Sequence, residues 1–383
     1  MFERTEIAIV NRSFWPANQV IGEALLRFAE SASAKKSVTV ITQSSDNLHS
    51  LLDNNQRGNG VLFKVCKSLT TSSSSIVIRA LEAIYFMLWV AACLIMMRPK
   101  KVYVATDPPI LVPFIVYIYS RISGSKYYYH LQDIHPEAAN IVVPLYGPLY
   151  KLLKFIDNIT ISNASAVITL SDDMSSYLKK RSSSDVATYL VDNPSFEVNS
   201  SNYEKSKKRG IVFCGNAGRL QRIPLLISSI RSYLDNGGKA EFTFIGSGIF
   251  TQDLELLAKS YPQVSCMGYL PAPEAASVVK QFPWAMLPID DEVTHYAFPS
   301  KSSSYVLSGC QILAICGRET SVSKWIIDNN LGITVNPDEK ELVKAFFLLE
   351  SQLDISLECS EELKNKLSID YFVDRIINIV CSG

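Results

Sequence analysis

Net charge is missing from this chain: 37 lysines and arginines balance 37 aspartates and glutamates over 383 residues. That balance argues against general nucleic-acid binding, which needs a broad positive field. Only a slight basic excess falls in the first half. Paired cysteines are missing as well. The eight cysteines stand apart, none in Cys-x-x-Cys and most inside apolar runs. This excludes a disulfide or zinc framework and reads as reduced thiols packed in a cytoplasmic protein. The start, MFERTEIAIVNRSFWP, has neither a basic beginning nor a long apolar region, so no signal peptide is expected. An uncharged run of about 20 residues, the length that spans a bilayer, is also lacking. The longest apolar run, Ala83–Met97, has fifteen residues, with Arg79 and Glu82 before it and RPKK after it. Two readings stay open for it. It is a buried helix, or a helix lying in a membrane surface over 76–101, anchored by Arg98, Lys100 and Lys101.

What the chain does have is alternation. Short β-branched runs such as EIAIV, SVTVIT, KVYVAT and AVITLS alternate with helix-length stretches. Continuous apolar strands between helices predict parallel sheets covered on both faces, an α/β fold. The length exceeds what one core fills, so two domains are expected. A polar, turn-rich stretch around 193–210 interrupts the pattern. The expected division is a first Rossmann-like domain over 1–195, a linker over 196–209 and a second such domain over 210–383. The last helix is free to return to the first domain. Ligands of doubly wound sheets bind beyond the carboxyl ends of the strands, so a cleft faced by two such domains is expected.

Candidate site residues therefore follow strands. Gly22 stands in the first strand-to-helix turn, where it permits either close ligand approach or close helix packing. Asp107, before two prolines, reads mainly as a turn residue. YYYHLQDIHPEAA brings His130, Asp133, His135 and Glu137 within eight residues. Metal ligation would need them to converge on one side; hydrogen bonding to a polyol suits a strand end better, with Asp133 and His130 foremost. IVFCGNAGRLQRIP ends a strand in Gly215, Asn216 and Gly218 and adds Arg219 and Arg222, the parts of an anion site. No Gly-Lys-Ser/Thr makes it a Walker loop. Gly246 opens a second glycine turn. In HYAFPSKSSSYVLSGCQILAI, Pro299 fits a first helical turn, Ser300 offers a hydroxyl, and Lys301 puts a cation where the helix dipole disfavours it. A bound anion would relieve that.

These stretches resemble the GT-B sugar transferases, within them glycosyltransferase family 4, over essentially the whole chain. YYYHLQDIHPE, CGNAGRLQ and FPSKSSSYVLSGCQILAI look like motifs of the branch acting in bacterial surface-polysaccharide assembly (O-antigen, colanic acid, capsule). The resemblance implies a nucleotide-sugar donor on the second domain, held by Gly215, Asn216, Gly218, Arg219, Gly246, Pro299, Ser300, Lys301 and Ser304. It implies an acceptor, lipid-linked, on the side of Gly22 and Glu137, with Asp133 and His130 as catalytic candidates. It implies retention of configuration, no cofactor beyond the donor substrate, no metal, and a cytoplasmic enzyme peripheral at the inner membrane face. The family's glutamate pair would fall at Tyr296 and Ser304, and its Gly-x-Pro is Gly309-Cys310-Gln311 here. No Asp-x-Asp occurs, which favours metal-independent transfer over the other common transferase fold. Two alternatives remain: a nucleotide-sugar epimerase of the same fold, and a non-catalytic two-domain sugar-binding protein.

Overall fold

In the computed structural model, residues 5–70, 75–196, 209–353 and 357–382 are described. Most of the expected linker, 197–208, lies outside them. The chain forms two compact units: the described residues to Asp192 with 369–382, and Asn193–Ser368.

The first unit is built on β1 (Ile7–Ser13), β2 (Val38–Ser44), β3 (Val61–Lys67), β4 (Lys101–Ala105), β5 (Lys126–His130), β6 (Ala166–Thr169) and β7 (Thr188–Leu190). They make one seven-stranded sheet in the order β3-β2-β1-β4-β5-β6-β7. Each neighbouring pair is parallel. Ile7 to Val10 and Val102 to Val104 are fully buried, as strands covered on both faces must be. The helix Ile369–Ser382 belongs to this unit and packs beside Ile21–Ser33. Lys36 and Lys101 donate to carbonyls of its last turn. These cations cap a helix C-terminus, where the dipole favours positive charge.

The second unit carries β8 (Gly210–Cys214), β9 (Glu241–Ile245), β10 (Val264–Met267), β11 (Trp284–Pro288), β12 (Gln311–Ile315) and β13 (Gly332–Val335). Their order is β10-β9-β8-β11-β12-β13, parallel throughout. The strand order reverses between β8 and β11. The crevice outside the carboxyl ends of those two strands is the ligand position such a sheet prepares.

The apolar segment forms part of a 22-residue helix, Ile76–Met97. Its reach past the charged residues has a local cause. Arg79 is exposed, while Glu82 is buried and accepts backbone hydrogen bonds from Leu69 and Thr70. By length and composition the helix is able to cross a bilayer. One face, Phe86, Val90, Cys93 and Leu94, is fully buried in the unit. The opposite face is exposed, so the helix is two-sided despite its uniform apolar composition. Two short helices, Leu48–Asn54 and Glu137–Val142, fall where the alternation predicts only connections.

Candidate functional site

The second-unit candidates gather at the β8/β11 switch point. β8 runs into Gly215, whose φ of +137° suits glycine alone. A Cβ on Gly215 would collide with Cε of Lys301, so the lysine lies flat against the loop. Gly246, with φ of +116°, backs onto the Gly215 carbonyl, and Gly248 onto that of Ala217. Gly215 N–H donates to Ile245 O at 2.8 Å, and Ala217 N–H to Ser247 O at 3.1 Å. The two glycine turns thus interlock backbone to backbone. Gly246 supports the first loop through its backbone and stays half-buried.

Lys301 opens the seven-residue helix Lys301–Leu307. Its ammonium sits 4.3 Å from the centre of the buried Phe213 ring. That contact, more than the helix dipole, defines its surroundings. No carboxylate pairs with it among the described residues. Burial pulls its pKa down to about 8, with the nearby Cys214 thiol a smaller opposing influence. The dipole argument drawn from sequence is thereby replaced by a desolvation argument.

The serines after Lys301 divide in two. Ser302 Oγ donates to Pro299 O at 2.8 Å, and Ser303 Oγ to Asn193 O at 2.6 Å. Both are buried and structural. Pro299 thus acts through its carbonyl, as a helix brace. Ser304, one turn beyond Lys301, is half-buried, and its hydroxyl has no protein partner among the described residues. Ser300, Asn216 and Arg219 are exposed, and Ser300 makes no capping bond. Arg219 has no ion pair among the described residues. Arg222 is committed elsewhere: it bonds Ile289 O at 2.9 Å and pairs with Asp291 at 3.0 Å.

Tyr305 stands inside the motif stretch FPSKSSSYVLSGCQILAI but is not among the site candidates read from sequence. Its phenol accepts from Cys214 N–H at 3.0 Å and donates to Cys214 O at 3.2 Å. The phenol therefore fixes the end of β8 against the lysine-bearing helix. Tyr305→Phe is expected to leave both Cys214 groups unsatisfied. Stability should fall by about 1–3 kcal/mol, with weakened nucleotide binding. Denaturant titration beside calorimetric binding checks both.

The first-unit candidates separate more sharply. His130, at the end of β5, is fully buried. Its Nδ1 shares a 2.5 Å hydrogen bond with the Tyr103 hydroxyl, and its ring lies 5.8 Å from Phe372. Burial pushes its pKa down to about 3, so it stays neutral. The strand turns this side chain into the core, which removes His130 from the candidates that meet an acceptor. Glu137 is corrected likewise. It is buried and pairs with Arg181 at 2.9 Å and Lys154 at 3.1 Å, and accepts from Tyr177 OH at 2.7 Å. Burial alone would raise its pKa; Arg181 and the hydrogen bonds overcome that and hold it below the ordinary value. Gly22 is settled in favour of packing: a Cβ there would lie 2.6 Å from Trp15 N and 2.8 Å from Phe14 C. Asp107 is a clamp, bonding Arg12 Nε at 3.1 Å and Ser13 N–H at 2.8 Å.

Asp133 alone of these stays available. It is exposed, just past β5. Water reaches it, yet protein crowds it closely enough that desolvation pushes its pKa up to about 6. Half-buried His135 is pulled down to about 4 by burial.

No protein-family profile matches the chain. A curated protein of Pseudomonas aeruginosa, described as the probable glycosyltransferase WbjE, is 24% identical over 252 residues, 61% of this chain. The match spans 62% of that relative's length. Among solved structures, HepE of Anabaena in complex with UDP superposes with a TM-score of 0.65 at 13% identity, covering 99% of this chain and 100% of that one. WaaG, a glycosyltransferase involved in lipopolysaccharide biosynthesis, gives 0.66 at 11% identity, covering 98% and 100%. A putative UDP-N-acetylglucosamine 2-epimerase from Listeria monocytogenes gives 0.61 at 9% identity, covering 98% and 95%. Transferase and epimerase thus share one architecture with this chain, and function has to be argued from its site. Two parallel Rossmann-like sheets, each on its own unit and each reversing its strand order once, are the GT-B fold, and this chain has it.

Proposed function

We propose that the chain is a metal-independent, retaining glycosyltransferase. It takes a sugar from a nucleotide-sugar donor on the second unit and passes it to a lipid-linked saccharide in bacterial surface-polysaccharide assembly. The observation that carries this reading is Lys301. It is a desolvated amine without a carboxylate, laid along a glycine loop at the switch point. A donor diphosphate supplies the missing anion. As the glycosidic bond to the diphosphate breaks, negative charge grows on the leaving oxygen. A preorganised cation in a partly dry site stabilises that charge. Arg219, exposed and without an ion pair among the described residues, would add a second positive group. Ser304 offers an uncommitted hydroxyl where a carboxylate would hold ribose.

Asp133 has the chemistry to bind an acceptor hydroxyl. With a pKa near 6 it is mostly ionised at neutral pH and still basic enough to accept a proton. The cytoplasmic, membrane-peripheral location rests on the exposed apolar face of Ile76–Met97 beside Arg98 and Lys100.

The test is incubation with a panel of nucleotide sugars and lipid-linked acceptors in excess chelator. Transfer is expected to continue, and the product's anomeric configuration to match the donor's. Loss of transfer with the metal, or an inverted product, contradicts the reading. An epimerised nucleotide sugar formed without acceptor favours the epimerase instead.

The pH dependence follows from Lys301. A diphosphate binds the protonated amine better, so binding raises the lysine's pKa. Nucleotide affinity is expected to fall as pH rises above about 8, at most about tenfold per pH unit. Calorimetry in buffers of different ionisation heat should show proton uptake on binding above that pH.

A further inference from the structure

Three helices on the first unit, Ile76–Met97, Leu111–Ser123 and Gly147–Ser162, pack side by side. On Ile76–Met97 the exposed residues Val77, Leu81, Ile84, Leu88 and Ile95 recur at three-, four- and seven-residue spacing, which is one helix face. Ile122 continues the apolar surface on the second helix at 83% exposure, and Phe155 on the third at 62%. Charge on these helices is one-sided. Their two carboxylates, Glu82 and Asp157, are buried and hydrogen-bonded within the protein. Their exposed charges, Arg79, Arg121 and Lys151, are all positive.

Between the first two helices runs a groove of about 450 Å³. Ala91, Ile95, Ile115, Ile118 and Ile122 line it, and Arg98 stands at its end. The polar groups nearby are bonded within the protein: Tyr119 OH donates to Pro99 O at 3.1 Å and Ser123 Oγ to Tyr119 O at 2.8 Å. The wall is therefore apolar. Arg98, Arg121, Lys100 and Lys126 are exposed around the end of the groove where β4 and β5 begin, and the Glu6 carboxylate pairs with Lys100 there at 3.8 Å. That is the edge of the sheet opposite its carboxyl ends.

We propose that this groove holds one acyl chain of an anionic phospholipid, with the headgroup phosphate at the arginine and lysine rim. An apolar trough ending in cations, with the carboxylates of its own helices turned inward, matches an anionic amphiphile in a bilayer. A second copy of this chain would bring the same positive charges, Arg79, Arg121 and Lys151, against each other. The groove lies away from the carboxyl-end residues, so this lipid holds the enzyme to the membrane and is not the acceptor. The inference extends the membrane part of the proposed function and is independent of the sugar chemistry.

The test uses the full chain with Ile118→Trp, and Leu348→Trp as a control on an exposed second-unit position. Each is mixed with phosphatidylglycerol vesicles carrying a mid-chain nitroxide label. The expected result is flotation with the vesicles and quenching of the added indole at 118 but not at 348. Arg121→Gln should weaken binding by about fivefold. Flotation without quenching at 118 overturns the groove while leaving a membrane association. No flotation, with nucleoside diphosphate binding intact, overturns the groove and the membrane reading but spares the donor site. Self-association that shields position 118 without vesicles assigns the face to a second copy and overturns the lipid.

Discussion

Lys301→Met is expected to lower kcat/KM for the nucleotide sugar by about 10²–10³-fold, and to raise the stability of the protein at the same time. The two effects have one cause. The ammonium is held beside Phe213 and Gly215 with no carboxylate to offset its desolvation. Its pKa is down from 10.5 to about 8. At pH 7 the folded chain therefore carries a charge that the unfolded chain solvates better. Between about pH 8 and 10.5 the unfolded state binds the proton that the folded state has released, so stability rises with pH across that window. A methionine of similar length removes the penalty, a gain on the order of 1–3 kcal/mol. Steady-state kinetics with thermal melts at pH 7 and pH 9 check both halves, and the stability gain should shrink at pH 9. A merely solvated lysine would show neither effect. The same reasoning makes Gly215→Ala deleterious to nucleotide binding, because its Cβ takes the space of the lysine stem.

Arg181→Leu is expected to destabilise the first unit by about 3–5 kcal/mol. Arg181 is 2% exposed and lies between Glu137 and Asp157, themselves 2% and 0% exposed. Tyr129 OH donates to Asp157 at 2.9 Å, and Arg181 also reaches His135 O at 3.0 Å. Removing the guanidinium leaves two buried carboxylates with too little positive charge, and both should take up protons. Chemical denaturation at pH 5 and pH 8 checks this, with the variant less impaired at pH 5. The result bears on function because this network carries the loop after β5. It explains why a glutamate that looks like part of an acceptor site from sequence is instead a brace of the loop after β5.

The architecture was legible because parallel strands covered on both faces leave a strong mark. Runs such as KVYVAT and AVITLS need no tertiary information to be read as buried strands. The helix-length stretches between them followed from the same alternation, while the short Leu48–Asn54 and Glu137–Val142 segments were too brief to show a period. The gathering of Gly215 and Lys301 was implied by the family resemblance, and the reason, that both follow strands flanking the switch point, appears only in the sheet order. Side-chain direction was not. His130 and Asp133 lie three residues apart after the same strand, yet one points into the core and the other to solvent. A strand end sets which face a residue takes only once the sheet's cover is known, and the cover over His130 comes from Phe372, far along the chain. Tyr305 escaped for a similar reason. Its two bonds to Cys214 join residues 91 positions apart, and a tyrosine in a short serine-rich helix gives no local sign of them.

The most direct measurement is calorimetric titration of the full chain with nucleoside diphosphates (UDP, GDP, ADP and dTDP) in excess chelator, repeated with Lys301→Met. The account predicts that at least one binds without metal, and that the substitution abolishes or severely weakens that binding in a protein that melts no lower than wild type. Equal affinity in the two proteins, or binding that returns only with a divalent ion, would contradict it.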